Sequence, residues 1–206
     1  MPTPDKIKTP ARRIDPAVRK HMILDRAAAL IAAEGLGAAS MERIGREAGV
    51  SKPLVYAYFQ NITNLLQELL LRDQRRLWEL QTIAVSEATN FEELIRFTTR
   101  TYLKHVEKNG IHIQRLMSEP TVSAVFQERE RESRQRVVDF LAKEMVRSFN
   151  VPRGVAILAT EVSMGMTGIA GELVSRGVVS SKKIEDIVIC LFQGSAVALG
   201  EKYGSK

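Results

Sequence analysis

At 206 residues, 45% of them hydrophobic, the chain is long enough to bury a substantial core and to form one small and one larger domain. Its 30 Lys plus Arg against 24 Asp plus Glu leave a formal charge of +6, an excess that draws a protein towards phosphate without choosing a sequence. The N-terminus lacks the apolar stretch of a secretion signal, and the single Cys190 cannot close an internal disulfide. The richest apolar stretches, 155–170 and 187–199, are interrupted by Glu161, Gln193 and several glycines and serines, short of a membrane span. A cytoplasmic protein with no membrane partner is expected.

Between Met1 and Gln60 there are 10 basic and 6 acidic side chains, a local +4, against 20 and 18 in the remainder. The excess gathers in a proline-rich leader with Lys6, Lys8, Arg12, Arg13, Arg19 and Lys20. Residues 1–14 read as a flexible basic arm that either follows a DNA backbone or enters the minor groove, or else merely solubilises the chain. Asp15 and Pro16 signal a helix start, and Val18, Ile23, Leu24, Ala27, Ala28, Leu30 and Ile31 predict a helix over 17–34 with a broad buried face, stopped by Gly35 and Gly37. Ser40 caps a second, two-turn helix whose apolar side is Met41, Ile44 and Ala48. Ala48, Gly49 and Val50 make a tight corner in which glycine supplies a backbone angle that side chains resist. Ser51 then caps a third helix, with Pro53 tolerated in its first turn. Val55 and Phe59 turn inward, leaving Lys52, Leu54, Tyr56 and Tyr58 for the wet or DNA-facing side. Such short helices cannot bury their stripes alone, so helix 17–34 completes a three-helix unit. The pattern reads as a helix-turn-helix, although a generic helical hairpin has the same periodicity.

From about Met22 to Leu66 the chain resembles the DNA-binding domain of the TetR family of one-component bacterial regulators. The likeness rests on ILDRAAALIAAEG, on SMERIGREAGVSKPLVYAYF and on the leucines of NLLQELL. The resemblance implies an all-α dimer, each subunit having a DNA-binding domain over 15–60 and a larger helical ligand-binding and dimerisation domain over 61–206. It places Ser40 on phosphate, Ser51, Lys52, Pro53 and Leu54 at the groove, and Tyr56 and Tyr58 within reach of backbone or base edges. Many members carry a phosphate-binding lysine where this chain has Ile62.

Beyond the head, 61–88 reads as a long helix with Leu65, Leu66, Leu69, Leu70, Leu77 and Leu80 at helical intervals, able to carry a displacement from one end to the other. Asn90 and Glu93 resemble a capping box. The stripe Leu94, Ile95, Phe97, Thr98, Tyr102 and Val106 continues to about Lys108, where Asn109 and Gly110 end the helix. A short element over 111–118 is cut by Pro120, and a long helix carrying Val122, Phe126, Val137, Phe140, Leu141 and Met145 follows. Its run QERERESRQR reads as a solvated face laced with intrahelical ion pairs. Pro152 starts a helix that Gly177 ends, and Ser180 or Ser181 starts the last, which runs to about Ala198 before Gly200. Gly165, Gly168 and Gly171 recur every three residues, which suggests close approach of a helix or a ligand. A homodimer through residues 153–199, on a twofold axis, is the expectation.

A chamber among the middle helices is the expected sensor pocket, with Trp78, Phe97, Tyr102, His105, Met117, Phe126, Met145, Phe149, Met164 and Met166 as candidates for its wall. Aromatic and methionine side chains suit a small apolar or aromatic effector. His21, His105 and His112 are widely spaced and form no metal pattern with Cys190 or paired acids. No phosphate loop or nucleophile elbow appears, so neither a cofactor nor catalysis is expected. The sequence thus predicts a ligand-responsive, DNA-binding transcriptional regulator, a repressor released from a palindromic double-stranded operator by a small molecule. An all-helical interaction protein without ligand-controlled output, or a small-molecule-modifying enzyme, is the alternative.

Overall fold

The structure is a computed structural model that describes residues 15–204, with every side chain among them except those at 128, 129 and 132. The basic arm expected over 1–14 lies outside the described residues. Those residues form eight α-helices and no strand: α1 (Pro16–Glu34), α2 (Met41–Glu47), α3 (Lys52–Tyr58), α4 (Ile62–Glu87), α5 (Phe91–Met117), α6 (Pro120–Phe149), α7 (Arg153–Ser175) and α8 (Ser181–Tyr203), with a 3-10 turn, Leu36–Ala38, after α1.

The helix starts follow local chemistry. Asp15 accepts a hydrogen bond from the Ala17 amide at 2.7 Å ahead of Pro16, Asn61 accepts from the Asn64 amide at 2.8 Å, and Asn90 from the Glu93 amide at 2.9 Å. Glu93 returns its carboxylate to the Thr89 amide at 3.0 Å, one residue ahead of the usual reciprocal partner. These bonds satisfy amides that have no acceptor inside the helix.

Two helices run on where the sequence suggested stops. Asn109 and Gly110 sit inside α5, which continues to Met117. A methyl group on Gly110 would lie 2.6 Å from Ser175 Cβ, so this glycine lets α5 and α7 cross closely and does not end a helix. Gly200 likewise lies within α8 against Phe149, whose Cβ would be 3.1 Å from an added methyl. The glycine triplet of α7 divides. Gly171 is pressed against the Tyr102 ring, where a side chain would clash, whereas nothing lies within 4 Å of the space beside Gly165 and Gly168.

The head's core takes Ile23, Leu24 and Ile31 from α1, Ile44 from α2, Val55 and Phe59 beside α3, and Leu65, Leu66, Leu69 and Leu70 from α4; Leu116 and Val122 close it. Head and body therefore share one apolar cluster across the α5–α6 corner. A second cluster at the far end packs Phe91, Ile95, Met145, Ala156 and Phe192, with the Phe149 ring edge-on to Phe91 at 5.2 Å. α7 is, by length and composition, apolar enough to cross a membrane, because Glu161 alone does not break its long apolar window. That differs from the expectation that no stretch would pass. Much of its apolar surface faces outward: Leu158 is 70% exposed, Val162 65% and Ile169 63%.

Candidate nucleic-acid interface and effector cavity

The crossing of α2 and α3 is set by two glycines. Gly49 turns with φ +67°, and the Val50 amide donates to the Gly45 carbonyl at 2.9 Å. Gly45 is buried so closely that an added methyl would lie 3.0 Å from Val55 Cγ2. A larger residue there would push the two helices apart. α3 is thereby held by Val55 and Phe59 while its opposite side faces outward.

The residues singled out on this side are not equally presented. The Ser40 hydroxyl accepts from the Arg43 amide at 3.1 Å as the α2 cap. Ser51 occupies the cap position of α3 but makes no capping bond with its side chain. Lys52 and Pro53 are exposed and Leu54 half-buried. Lys52 Nζ lies 3.4 Å from Glu42 Oε2, an exposed pair that a phosphate can displace. Tyr56 stands 48% exposed. Tyr58 instead packs partly on the head's core, its ring 6.4 Å from that of Phe59. Ser40, Glu42, Lys52, Tyr56, Asn61 and Ile62 surround one hollow of about 370 Å³.

In the body, a cavity of about 640 Å³ lies among α4, α5, α6 and α7. Four of the ten expected wall residues line it: Trp78, Tyr102, Phe126 and Met164. The other six are elsewhere. Met145 is fully buried in the far core and Phe149 packs against it; Met117 packs on the head's core; His105 is buried beside Asn109; Phe97 and Met166 are half-buried, off the cavity wall. In their place stand Leu77, Val85, Ile95, Val137, Phe140, Leu141 and Phe192, with Gln74, Gln81, Thr98, Thr99 and Thr167 as polar members. The charged run of α6, read as plain surface, also contributes Glu130, Ser133, Arg134 and Arg136. Helical periodicity marks which face is apolar, but a face meeting a neighbour and a face meeting a void have the same pattern.

Between cavity and head lies a buried polar joint that no sequence pattern announced. Arg72 and Asp73 of α4 are 5% and 2% exposed. The Arg72 guanidinium donates to Asp25 at 2.8 Å and to the His21 carbonyl at 3.4 Å on α1, and to Asp73 Oδ1 at 3.2 Å through both Nε and Nη2. The other oxygen of Asp73 accepts from His112 Nε2 of α5 at 2.5 Å. Burial by itself would raise the Asp73 pKa, but the His112 hydrogen bond and the Arg72 charge together hold it below its ordinary value. Three residues along α5, Arg115 donates to the Ile31 and Ala32 carbonyls, capping the end of α1 from outside. His105 is kept towards its neutral form by burial, against the nearby Asp73 charge. Among the described residues no group of His, Cys, Asp and Glu is arranged to hold a metal.

Residues 23–69 match the family model described as bacterial regulatory proteins, tetR family. No curated protein matches the chain. Among solved structures, a TetR-like transcriptional regulator from Rhodococcus sp. RHA1 is similar with TM-score 0.71 and 22% identity, over 89% of this chain and 98% of that one. The fatty acid degradation regulator FadR from Bacillus halodurans gives TM-score 0.66 and 18% identity, over 88% and 96%. The ketosteroid transcriptional regulator KstR2 of Mycobacterium tuberculosis gives 0.61 and 20%, over 86% and 94%. Residues 23–69 thus match the tetR-family model of bacterial regulatory proteins, and along nearly its whole length the chain shares the all-helical fold of TetR-like transcriptional regulators, with a helix-turn-helix head.

Proposed function

We propose that the chain is a ligand-responsive repressor: a dimer that holds a palindromic operator through two heads and releases it when a small molecule fills the cavity. Residues 15–60 supply the DNA-binding domain in this reading, and 61–206 the sensing and dimerising one. At the DNA, Ser40, Ser51, Lys52, Pro53, Leu54 and Tyr56 meet backbone or groove, and Tyr58 acts mainly by bracing α3.

The observation that carries the reading is the position of α4. One stretch of it, from Gln74 to Val85, lines the cavity, while Leu65, Leu66, Leu69 and Leu70 belong to the head's core. Arg72 and Asp73 lie between the two stretches, bonded to α1 on one side and α5 on the other. A molecule that displaces α4 or α5 must therefore move the head or break a buried ion pair. Ligand releases DNA only to the extent that it prefers the displaced arrangement, and carrying a population from 1:99 to 99:1 takes about 5.5 kcal/mol. Two of the structural relatives are named for fatty acid degradation and for ketosteroids, which suits a largely apolar effector here.

The dimer surface in this reading is the outward apolar face of α7 and α8, on which Leu158, Val162, Ile169, Ile187 and Leu191 are all more than half exposed. Burying such a patch on a second copy removes it from water. Heads a fixed distance apart then suit half-sites on one face of the duplex. The test is to select bound duplexes from a random pool with the full-length protein, then titrate the selected operator with and without candidate effectors. Palindromic enrichment with affinity lost on adding an effector is the expected result. Equal affinities across a chemically broad effector panel would remove the sensing claim and leave a constitutive DNA binder.

A further inference from the structure

The wall of the cavity is largely apolar, with Leu77, Ile95, Phe126 and Leu141 on three different helices, and among the described residues its charged members all lie on α6. There Glu130, Arg134 and Arg136 all line it, two guanidinium groups against one carboxylate among the described residues. Their partners differ. Arg134 reaches across to Glu161 of α7 at 2.6 Å, with both side chains about two-fifths exposed, at 43% and 39%. Arg136 bonds only the neutral Ser133 hydroxyl, at 3.2 Å, among the described residues. The guanidinium is planar, permanently charged and matched to the two oxygens of a carboxylate. At the rim of a largely apolar cavity, where water is partly excluded, such a group supports an anion more strongly than it does on open surface.

Resting on the reading of this cavity as the effector site, we propose that the effector is an amphipathic acid, its apolar tail or ring in the cavity and its anionic group at the rim on Arg136, with Arg134 exchanging Glu161 for it. The opposite charge class is less well served. Glu130 is the one acid on the wall among the described residues, and desolvation there pushes its carboxyl towards the neutral form, against the pull of Arg134. The exchange also has a mechanical consequence. The Arg134–Glu161 pair ties α6 to α7, so an acid that takes over Arg134 unfastens a wall of the cavity as it enters.

Trp78, the chain's single tryptophan, lines the cavity and reports on occupancy by its fluorescence. The full-length protein is titrated below their micelle concentrations with dodecanoate, dodecanol and dodecyltrimethylammonium, which share one tail and differ in head charge. Naphthalene acetate and naphthalene ethanol repeat the comparison with a ring. The acid of each set is expected to bind about tenfold or more tightly than its companions, the scale of one charge-assisted hydrogen-bonded pair. Arg136→Gln should collapse that preference and Arg136→Lys retain part of it. Glu161→Gln, by removing the competitor for Arg134, should tighten the acid further. Equal binding of acid and alcohol, or preference for the ammonium probe, overturns the anionic assignment and leaves the cavity as the effector site. Failure of every probe to perturb Trp78 overturns both.

Discussion

At the scale of single residues, the hollow proposed to face DNA combines attraction with an omission. Ile62 lies on its edge beside Ser40, Lys52 and Tyr56, at the start of α4, where helix amides and dipole favour an anion. Ile62→Lys is expected to strengthen operator binding and to steepen its salt dependence by about 0.9 in the log–log slope, the signature of one added phosphate contact. An unchanged slope would show that this edge does not approach the backbone. The two tyrosines should separate in the same assay. Tyr56→Ala, on the exposed side, is expected to weaken the selected operator by about 1–3 kcal/mol while thermal stability stays nearly constant. Tyr58→Ala should show mainly as lost stability, since its ring rests on the head's core. Operator footprints and melting curves of both variants check the split.

At the scale of elements, the informative contacts bridge α1, α4 and α5. Removing one member of a buried ion pair strands the rest, a loss of about 3–5 kcal/mol. Asp73→Asn should therefore unfold at markedly lower denaturant than the parent, with the buried Arg72 left only the exposed Asp25 as a charged partner. The acid dependence has a defined sign. Because the folded pKa of Asp73 lies below its ordinary value of 3.8, the unfolded chain takes up this proton first as pH falls. The stabilisation is complete above that value and is withdrawn in stronger acid. His105 acts in a higher window: burial holds its folded pKa below 6.5, so stability declines as pH falls through 6.5 and the unfolded imidazole charges. Urea titrations across pH should show both losses in the parent, the lower one missing from Asp73→Asn and the upper one from His105→Gln. The α5 helix shows why such contacts escape sequence reading. Asn109 and Gly110 look like a terminator, yet the space Gly110 leaves is filled by Ser175 from another helix. His105 and His112 consequently lie two turns apart on one continuous rod.

At the scale of the whole molecule, the outward apolar face of α7 and α8 asks for a partner. A charged residue in its middle, as in Val162→Glu or Leu191→Glu, is expected to yield a monomer by sedimentation, because burying an unmatched carboxylate costs more than the contact returns. The cooperative operator complex should be lost with it, while helical content persists. A dimer that survives both substitutions would place the contact elsewhere. α7 is also apolar enough in composition to cross a membrane, and in the proposed dimer its outward apolar residues form the interface between copies.

The sequence by itself determined the elements that depend on near neighbours: the helix start at Asp15 and Pro16, the caps at Ser40 and Asn90, the Gly49 corner, and the apolar stripes that make this an all-helical chain with a helix-turn-helix head. Those signals act over one or two turns, so they survive in a linear reading. Only the tertiary structure decided which stripes face a void and which face a neighbour. It put Trp78, Tyr102, Phe126 and Met164 on a cavity wall, Met145 and Phe149 in solid core, and Arg72, Asp73 and His112 in one buried joint. Side chains far apart in the chain meet only when whole helices pack, and the same periodicity serves each of these outcomes.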